Sequence, residues 1–278
     1  MVEEKPQKVF KATPILMTPI LASLLISVSC AFLVLQSQVV LSPATVFPES
    51  GYGPLLNAAV FVLASSIGAT TILFLMRRNV YRVIRLFMAI AFSVLIFLLV
   101  VFYVELAFVI ADIRISFAVS LLLASLATVF GLWGIFLRKD WLYDGVILVV
   151  GGAAGTLLGA AIPTISAVSI LLLLATYDVV SVFRGPIGKL AALGLENLPG
   201  ASFSFKGITV GLGDLTFYSM LVSHVFLNFG LAVCLAAIVG VLAGSFFSFK
   251  MVEKKDLFPG LPFSILFGLL ASFIVLRF

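Results

Sequence analysis

Charge is scarce in this chain. Of 278 residues only 10% are Asp, Glu, Lys or Arg, 63% are hydrophobic, and the mean hydropathy is +1.28. Soluble domains carry about a quarter charged residues. A soluble fold is therefore excluded, and the composition describes a polytopic membrane protein with almost no extramembrane domain. Histidine occurs once, at His224, and cysteine only at Cys30 and Cys234, both inside apolar runs. The thiols read as small packing residues rather than a disulfide. Without a His/Cys cluster a zinc protease is not expected, and no metal or other cofactor is implied. No phosphate-binding loop, Ser-His arrangement or internal repeat between halves stands out. The formal net charge of +5 does not point to nucleic acid. In a membrane protein the placement of positive residues sets topology and favours anionic headgroups of the bilayer.

Apolar runs long enough to cross a ~30 Å hydrocarbon core fall at 15–41, 55–76, 86–110, 115–137, 145–162, 163–183, 207–224, 226–249 and 259–278. The reading is an all-α protein of nine transmembrane helices in one membrane domain spanning 1–278, with a connector at 184–206 between the sixth and seventh spans. Pro163 divides the fifth run from the sixth, and the stretch from His224 to Asn228 the seventh from the eighth. The first 14 residues are polar and basic, and the run after them is too long for a signal-peptide core. No cleavable leader is expected.

The basic residues test this count. One set of loops holds Lys5, Lys8, Lys11, Arg77, Arg78, Arg82, Arg85, Arg138, Lys139, Arg184, Lys189, Lys206, Lys250, Lys254 and Lys255, fifteen of the 17. The opposite set holds only Arg114 and Arg277. A wrong number of spans would scramble the alternation. The positive-inside rule then puts the N-terminus in the cytoplasm and the C-terminus outside a cell membrane crossed many times.

Against this background two acidic residues stand out: Asp178 in LLLLATYDVVSVF and Asp214 in ITVGLGDLTFYSMLV. A carboxylate near the middle of a span costs roughly 2.5–3.5 kcal/mol on insertion scales, so it marks function more often than packing. Asp178 lies six residues before Arg184, which closes the sixth span, and Asp214 seven residues into the seventh. At 1.5 Å per residue both are expected roughly 9–10 Å below the same boundary. Close carboxylates in a low dielectric do not both ionise cheaply, so they share a proton and titrate as a pair. An ionised partner can activate water while the protonated one donates to a carbonyl. Spacing alone leaves other readings open: a proton relay in a secondary transporter, or polar groups that pack helices.

Gly211 and Gly213 flank Leu212 just before Asp214, which offers backbone freedom and close access beside a carboxylate. At the start of the last span stands KKDLFPGLPFSILFGLL, with Pro259 and Pro262 around Gly260 and Leu261. Proline suits a helix start. It also keeps backbone irregular, which is tolerated at membrane depth only against protein or a water-filled cavity. A hydrolase needs such a cavity.

Tyr177-Asp178 in one span, Gly211-Leu212-Gly213-Asp214 in the next and a Pro-x-Leu at the start of the last resemble the presenilin and signal peptide peptidase family of intramembrane aspartyl proteases, the GxGD type. Order, topology and span count match over essentially the whole chain. The resemblance implies a presenilin-like fold, catalytic roles for Asp178 and Asp214, and a site lined by Tyr177 and shaped by Pro259 and Leu261. The family reads Pro-Ala-Leu where this chain has Pro259-Gly260-Leu261, which keeps the site small and loosens its backbone. The following Leu261-Pro262-Phe263-Ser264-Ile265 and the cytoplasmic N-terminus resemble presenilin more than signal peptide peptidase. The implied partners are transmembrane substrates with an outside N-terminus, cut by a compact archaeal-type homologue without accessory subunits. Homo-oligomerisation is left open, as is a catalytically inactive member that only binds transmembrane helices.

Three further segments carry readings. In the connector, Ala201-Ser202-Phe203-Ser204-Phe205-Lys206 alternates as a short strand would, although a plain loop with a short helix is the simpler expectation. Such a strand could pair with an extended substrate. Gly151, Gly155 and Gly159 make a small-residue face in the fifth span, read as helix packing. Glu105, near the outer end of the third span, and His224 carry no inferred chemistry.

Overall fold

The computed structural model describes residues 12–113, 116–137, 141–185, 188, 198–253 and 258–277. Among these the chain forms nine α-helices and one β-hairpin. A 3-10 turn, Pro14–Met17, leads into α1 (Thr18–Ser37). There follow α2 (Gly53–Arg77), α3 (Tyr81–Ile110), α4 (Phe117–Leu137), α5 (Trp141–Ala161) and α6 (Thr164–Phe183). The hairpin β1 (Ser202–Phe205) and β2 (Ile208–Gly211) precedes α7 (Leu212–Phe229), α8 (Leu231–Val252) and α9 (Leu261–Arg277). The short helix considered for the connector falls at 186–187 and 189–197, outside the described residues, as do Arg114, Arg138 and Lys139.

Seven of these helices, α1 to α6 and α8, are long and apolar enough to cross a membrane. The protein is an integral, multi-pass membrane protein. The two that fall short are α7, whose hydropathy is lowered by Asp214, His224 and Asn228, and α9, which has 17 residues. Both adjoin the candidate site. Their deficit in apolar length is made up by hairpin and extended backbone packed against protein.

Burial separates centre from rim. In α6 half of the apolar window is buried, 50%, against 11% in α2. Outward Leu63, Ile67, Val129, Phe130, Val239 and Leu270 are exposed and meet lipid. The centre is built from α1, α5, α6 and α7, where Ile20, Leu24, Ile147, Ile170, Leu171, Leu215 and Met220 are fully buried. Lipid tails are as apolar as these side chains, so close packing and hydrogen bonds must hold helices together. Ser27 Oγ lies 2.9 Å from Thr156 Oγ1 and donates to the Ser219 carbonyl at 3.0 Å, tying α1, α5 and α7. Along α5, Gly155 faces the Thr216 carbonyl and Gly159 faces Ser223 and the Met220 carbonyl, so α7 approaches α5 backbone to backbone.

Two boundaries differ from the sequence expectation. The seventh and eighth spans part at Gly230, not before Asn228. Gly230 has φ +87, a left-handed turn that glycine adopts freely, and Asn228 donates back to the His224 carbonyl and stays helical. The seventh helix also starts later than residue 207. Residues Ile208–Gly211 form β2, which pairs antiparallel with β1 in the register Ser202↔Gly211, Phe203↔Val210, Ser204↔Thr209, Phe205↔Ile208. Within the loop expected for 201–206, residues 202–205 are therefore a strand. Lys206 (φ +48) and Gly207 (φ +90) make the two-residue turn whose twist suits a hairpin. Phe203, Ile208 and Val210 are buried on one face, while Ser204 Oγ and Thr209 Oγ1 meet at 3.1 Å on the other. Tyr143 of α5 anchors the hairpin: its hydroxyl donates to the Ser202 carbonyl at 2.6 Å and accepts from the Gly200 amide at 3.0 Å.

A methyl group at Gly155 would lie 2.3 Å from the Thr216 carbonyl oxygen. We therefore expect Gly155→Ala to force α5 from α7 and to destabilise the protein by about 1–3 kcal/mol. Denaturation in lipid or detergent would show it, and unchanged stability would contradict the packing described.

Candidate active site

The site forms where α6, α7 and the start of α9 meet. Asp178 stands five residues before the end of α6 and is 7% exposed. A buried carboxylate needs donors. The Leu261 amide donates to Asp178 Oδ2 at 3.1 Å. The partner helix supplies Asp214 in its first turn, where the positive end of the helix dipole favours a carboxylate. Gly211 is the extended N-cap and Asp214 the third helical residue. Its carboxylate turns back toward that cap: a methyl group on Gly211 would lie 3.6 Å from Asp214 Oδ2.

Asp214 was expected seven residues inside a helix. It lies in the first turn because β2 occupies the preceding positions. Of the two contributions expected from the glycines around it, backbone freedom and close access, the geometry separates one from the other. Gly211 has φ −73, which any residue adopts, so conformational freedom is not its contribution. Room is: at Gly213 a methyl group would touch nothing nearer than Phe217 at 4.0 Å, leaving one flank of Asp214 open.

The two carboxylates face the same piece of backbone. A methyl group on Gly260 would lie 3.0 Å from Asp214 Oδ2, while the next amide, Leu261, bonds Asp178. Helices α6 and α7 meet only sparsely, and each packs more extensively on α9. The Pro259-Gly260-Leu261 segment is thus the wedge between them. Pro259, Leu261 and Pro262 are buried. Phe258 stacks on Phe263 with ring centres 5.8 Å apart and meets Phe183 of α6 at 6.3 Å, which closes the wedge on one side.

Of the other residues expected at the site, Tyr177 is half-buried and its hydroxyl is buried with no hydrogen-bond partner among the described residues. Leu212 turns to α5, where it packs over Gly151. His224 lies apart, its ring nitrogens 2.8 Å from the Gly159 carbonyl and 3.1 Å from Thr164 Oγ1. Tyr218 and Ser264 were not anticipated. The Tyr218 hydroxyl donates to the Gly260 carbonyl at 2.9 Å and Ser264 Oγ donates to it at 3.1 Å. Their signal in the sequence is only spacing: Tyr218 one helical turn after Asp214, Ser264 one turn after Gly260.

No family model matches the chain. Its fold is that of presenilin-family intramembrane aspartate proteases. One solved structure of such a protease, in a C222 lattice, superposes with a TM-score of 0.66 at 20% identity, covering 93% of this chain and 97% of that chain. A second, in a P2 lattice, gives 0.63 at 20% identity, covering 92% and 94%. Among curated proteins the chain is similar to Presenilin-B of Dictyostelium discoideum, 29% identical over 155 residues, 51% of this chain and 32% of that relative. The match thus spans about a third of the curated relative.

Valine at 260 would add two further carbons beside a contact already at 3.0 Å. We expect Gly260→Val to destabilise the folded protein by about 1–3 kcal/mol, and Gly260→Ala to do so by less. Chemical denaturation of the two variants side by side would decide, and a fully stable valine variant would disprove the tight wedge.

Proposed function

We propose that this chain is an intramembrane aspartyl endopeptidase that hydrolyses peptide bonds of transmembrane substrates, with Asp178 and Asp214 as its catalytic pair. The observation that carries the reading is the convergence of two carboxylates, from separate helices, on one irregular backbone segment. The shared fold supports it.

The chemistry follows from a pair holding one proton. The ionised carboxylate takes a proton from water as the water oxygen bonds to the scissile carbonyl carbon. The protonated carboxylic acid gives its proton to the carbonyl oxygen, and a neutral diol forms. A proton then passes to the amide nitrogen, the C–N bond breaks, and a carboxylic acid and an amine are left. No metal is needed. The open flank at Gly213 gives water and substrate access to Asp214, and Tyr177, Pro259, Gly260 and Leu261 shape the pocket. A helical substrate hides its scissile bond, so it must be presented extended. Among the described residues the hairpin has two strands, so β1 keeps one edge that no described strand covers. That edge, leading through β2 to Asp214, is suited to pair with an unwound substrate.

The proposed location is the cell membrane, with the N-terminus in the cytoplasm. Arg77, Arg78, Arg82, Arg85, Arg184, Lys206 and Lys250 lie at helix ends or turns on one side of the alternation, which supports this sense. Substrates with an outside N-terminus then present the cytoplasmic half of their span to the pair.

The purified protein in lipid is expected to cut a single-span substrate inserted in that sense. Asp178→Asn and Asp214→Asn should each lower the rate by roughly a thousandfold or more with the fold intact. The parent's rate should follow a bell-shaped pH profile, because one carboxylate must be ionised and the other protonated. Cleavage that survives either substitution would sink the assignment. An inert parent would leave a helix-binding or proton-carrying role.

A further inference from the structure

The proposed pair leans on a residue that has no side chain to hold it in place. Gly260 sits between Pro259 and Leu261 at the start of α9, and glycine loses more conformational freedom on ordering than any other residue. Prolines at 259 and 262 also remove two backbone donors that could have fixed the segment. What fixes it is its carbonyl. Tyr218 Oη donates to the Gly260 oxygen at 2.9 Å from α7, and Ser264 Oγ donates at 3.1 Å from within α9. Ser264 Oγ is in turn 2.9 Å from Ser245 Oγ of α8. Tyr218, Ser245 and Ser264 are 2%, 1% and 0% exposed, so no water competes for these bonds.

Both faces of the glycine matter. Its Cα side meets Asp214, and a methyl group there would be 3.0 Å from Asp214 Oδ2 and 3.4 Å from the Tyr218 hydroxyl. The peptide that follows it carries the Leu261 amide, which donates to Asp178. Asp214 and Tyr218 are one turn apart on α7 and face the same residue. If the Gly260 carbonyl rotates, the Leu261 amide rotates with it, because the two belong to one planar peptide unit.

We propose that Tyr218 and Ser264 are positioning residues: they clamp the Gly260–Leu261 peptide and so hold the Leu261 amide on Asp178 and the Gly260 backbone against Asp214. Neither acts on the substrate. The clamp stands on the hydrogen bonds alone, and only its effect on turnover rests on the protease reading above.

The test uses Tyr218→Phe, which keeps the ring and removes the hydroxyl, and Ser264→Ala, in full-length protein in lipid nanodiscs. Two readouts are taken. Hydrogen exchange of the Leu261 amide should speed up several-fold to about tenfold in each variant, the scale of one lost hydrogen bond. In cleavage of a single-span substrate, kcat should fall by a similar factor with KM within about twofold, since the substrate-binding surface is untouched. Because the two donors share one acceptor, the double variant should lose less than the product of the single effects. A merely structural role would lower thermal stability and spare both the amide and kcat. Unchanged exchange at Leu261 overturns the clamp whether or not the parent cleaves. Faster exchange with unchanged kcat overturns its role in turnover. A parent that cleaves nothing, with exchange still faster in the variants, overturns the protease reading and leaves the clamp standing.

Discussion

The rest of the structure depends on how the backbone at residues 259–261 is satisfied inside a membrane. Hydrocarbon offers no hydrogen bonds, so an irregular segment at this depth survives only against protein or a water-filled cavity that supplies its partners. Here the partners are few and specific. Asp178 accepts from Leu261, and Tyr218 and Ser264 donate to Gly260. The groups that make the segment tolerable are therefore the groups around the proposed chemistry. Removing one would leave a buried backbone group unpaired as well as disturb a carboxylate.

This explains the arrangement of helices. Since α6 and α7 touch only sparsely, their carboxylates are not brought together by direct packing. The α9 wedge sets their separation, and α9 in turn is held by α8, where Gly240 and Gly244 face the Phe267 and Phe263 carbonyls. On the other side α7 is held to α5 through Gly155 and Gly159. Small residues thus set both packings, α9 on α8 and α7 on α5, to either side of the 259–261 segment. The hairpin completes the design by ending α7 early. It exchanges a turn of helix for strand, which places Asp214 at a helix start beside open space.

Much of the candidate site could be read from sequence because charge within an apolar run is conspicuous. Asp178 and Asp214 announced themselves that way, and the paired prolines as breakers at the start of the last run. The basic residues gave an alternation that fits nine spans. Elements whose signal is local geometry were harder. The strand character of 202–205 was visible as alternation, but four residues carry too little pattern to outweigh a loop, and the start of α7 was misplaced with it. The glycines before Asp214 suggested both freedom and access, and which of the two each provides depends on neighbours rather than on the residue. Tyr218 and Ser264 carried no signal beyond helical spacing, since buried Tyr and Ser are ordinary in helices and their partner is a backbone carbonyl. Leu212 belonged to a motif and yet packs on α5.

The central claim is that two carboxylates act on one atom. A structure of the protein in lipid with an extended peptide that carries a secondary hydroxyl in place of the scissile carbonyl would address it most directly. The account predicts that hydroxyl within roughly 2.6–3.2 Å of a carboxylate oxygen from both Asp178 and Asp214. A bound peptide whose hydroxyl reaches only one carboxylate, with the other turned away or bonded elsewhere, would contradict it.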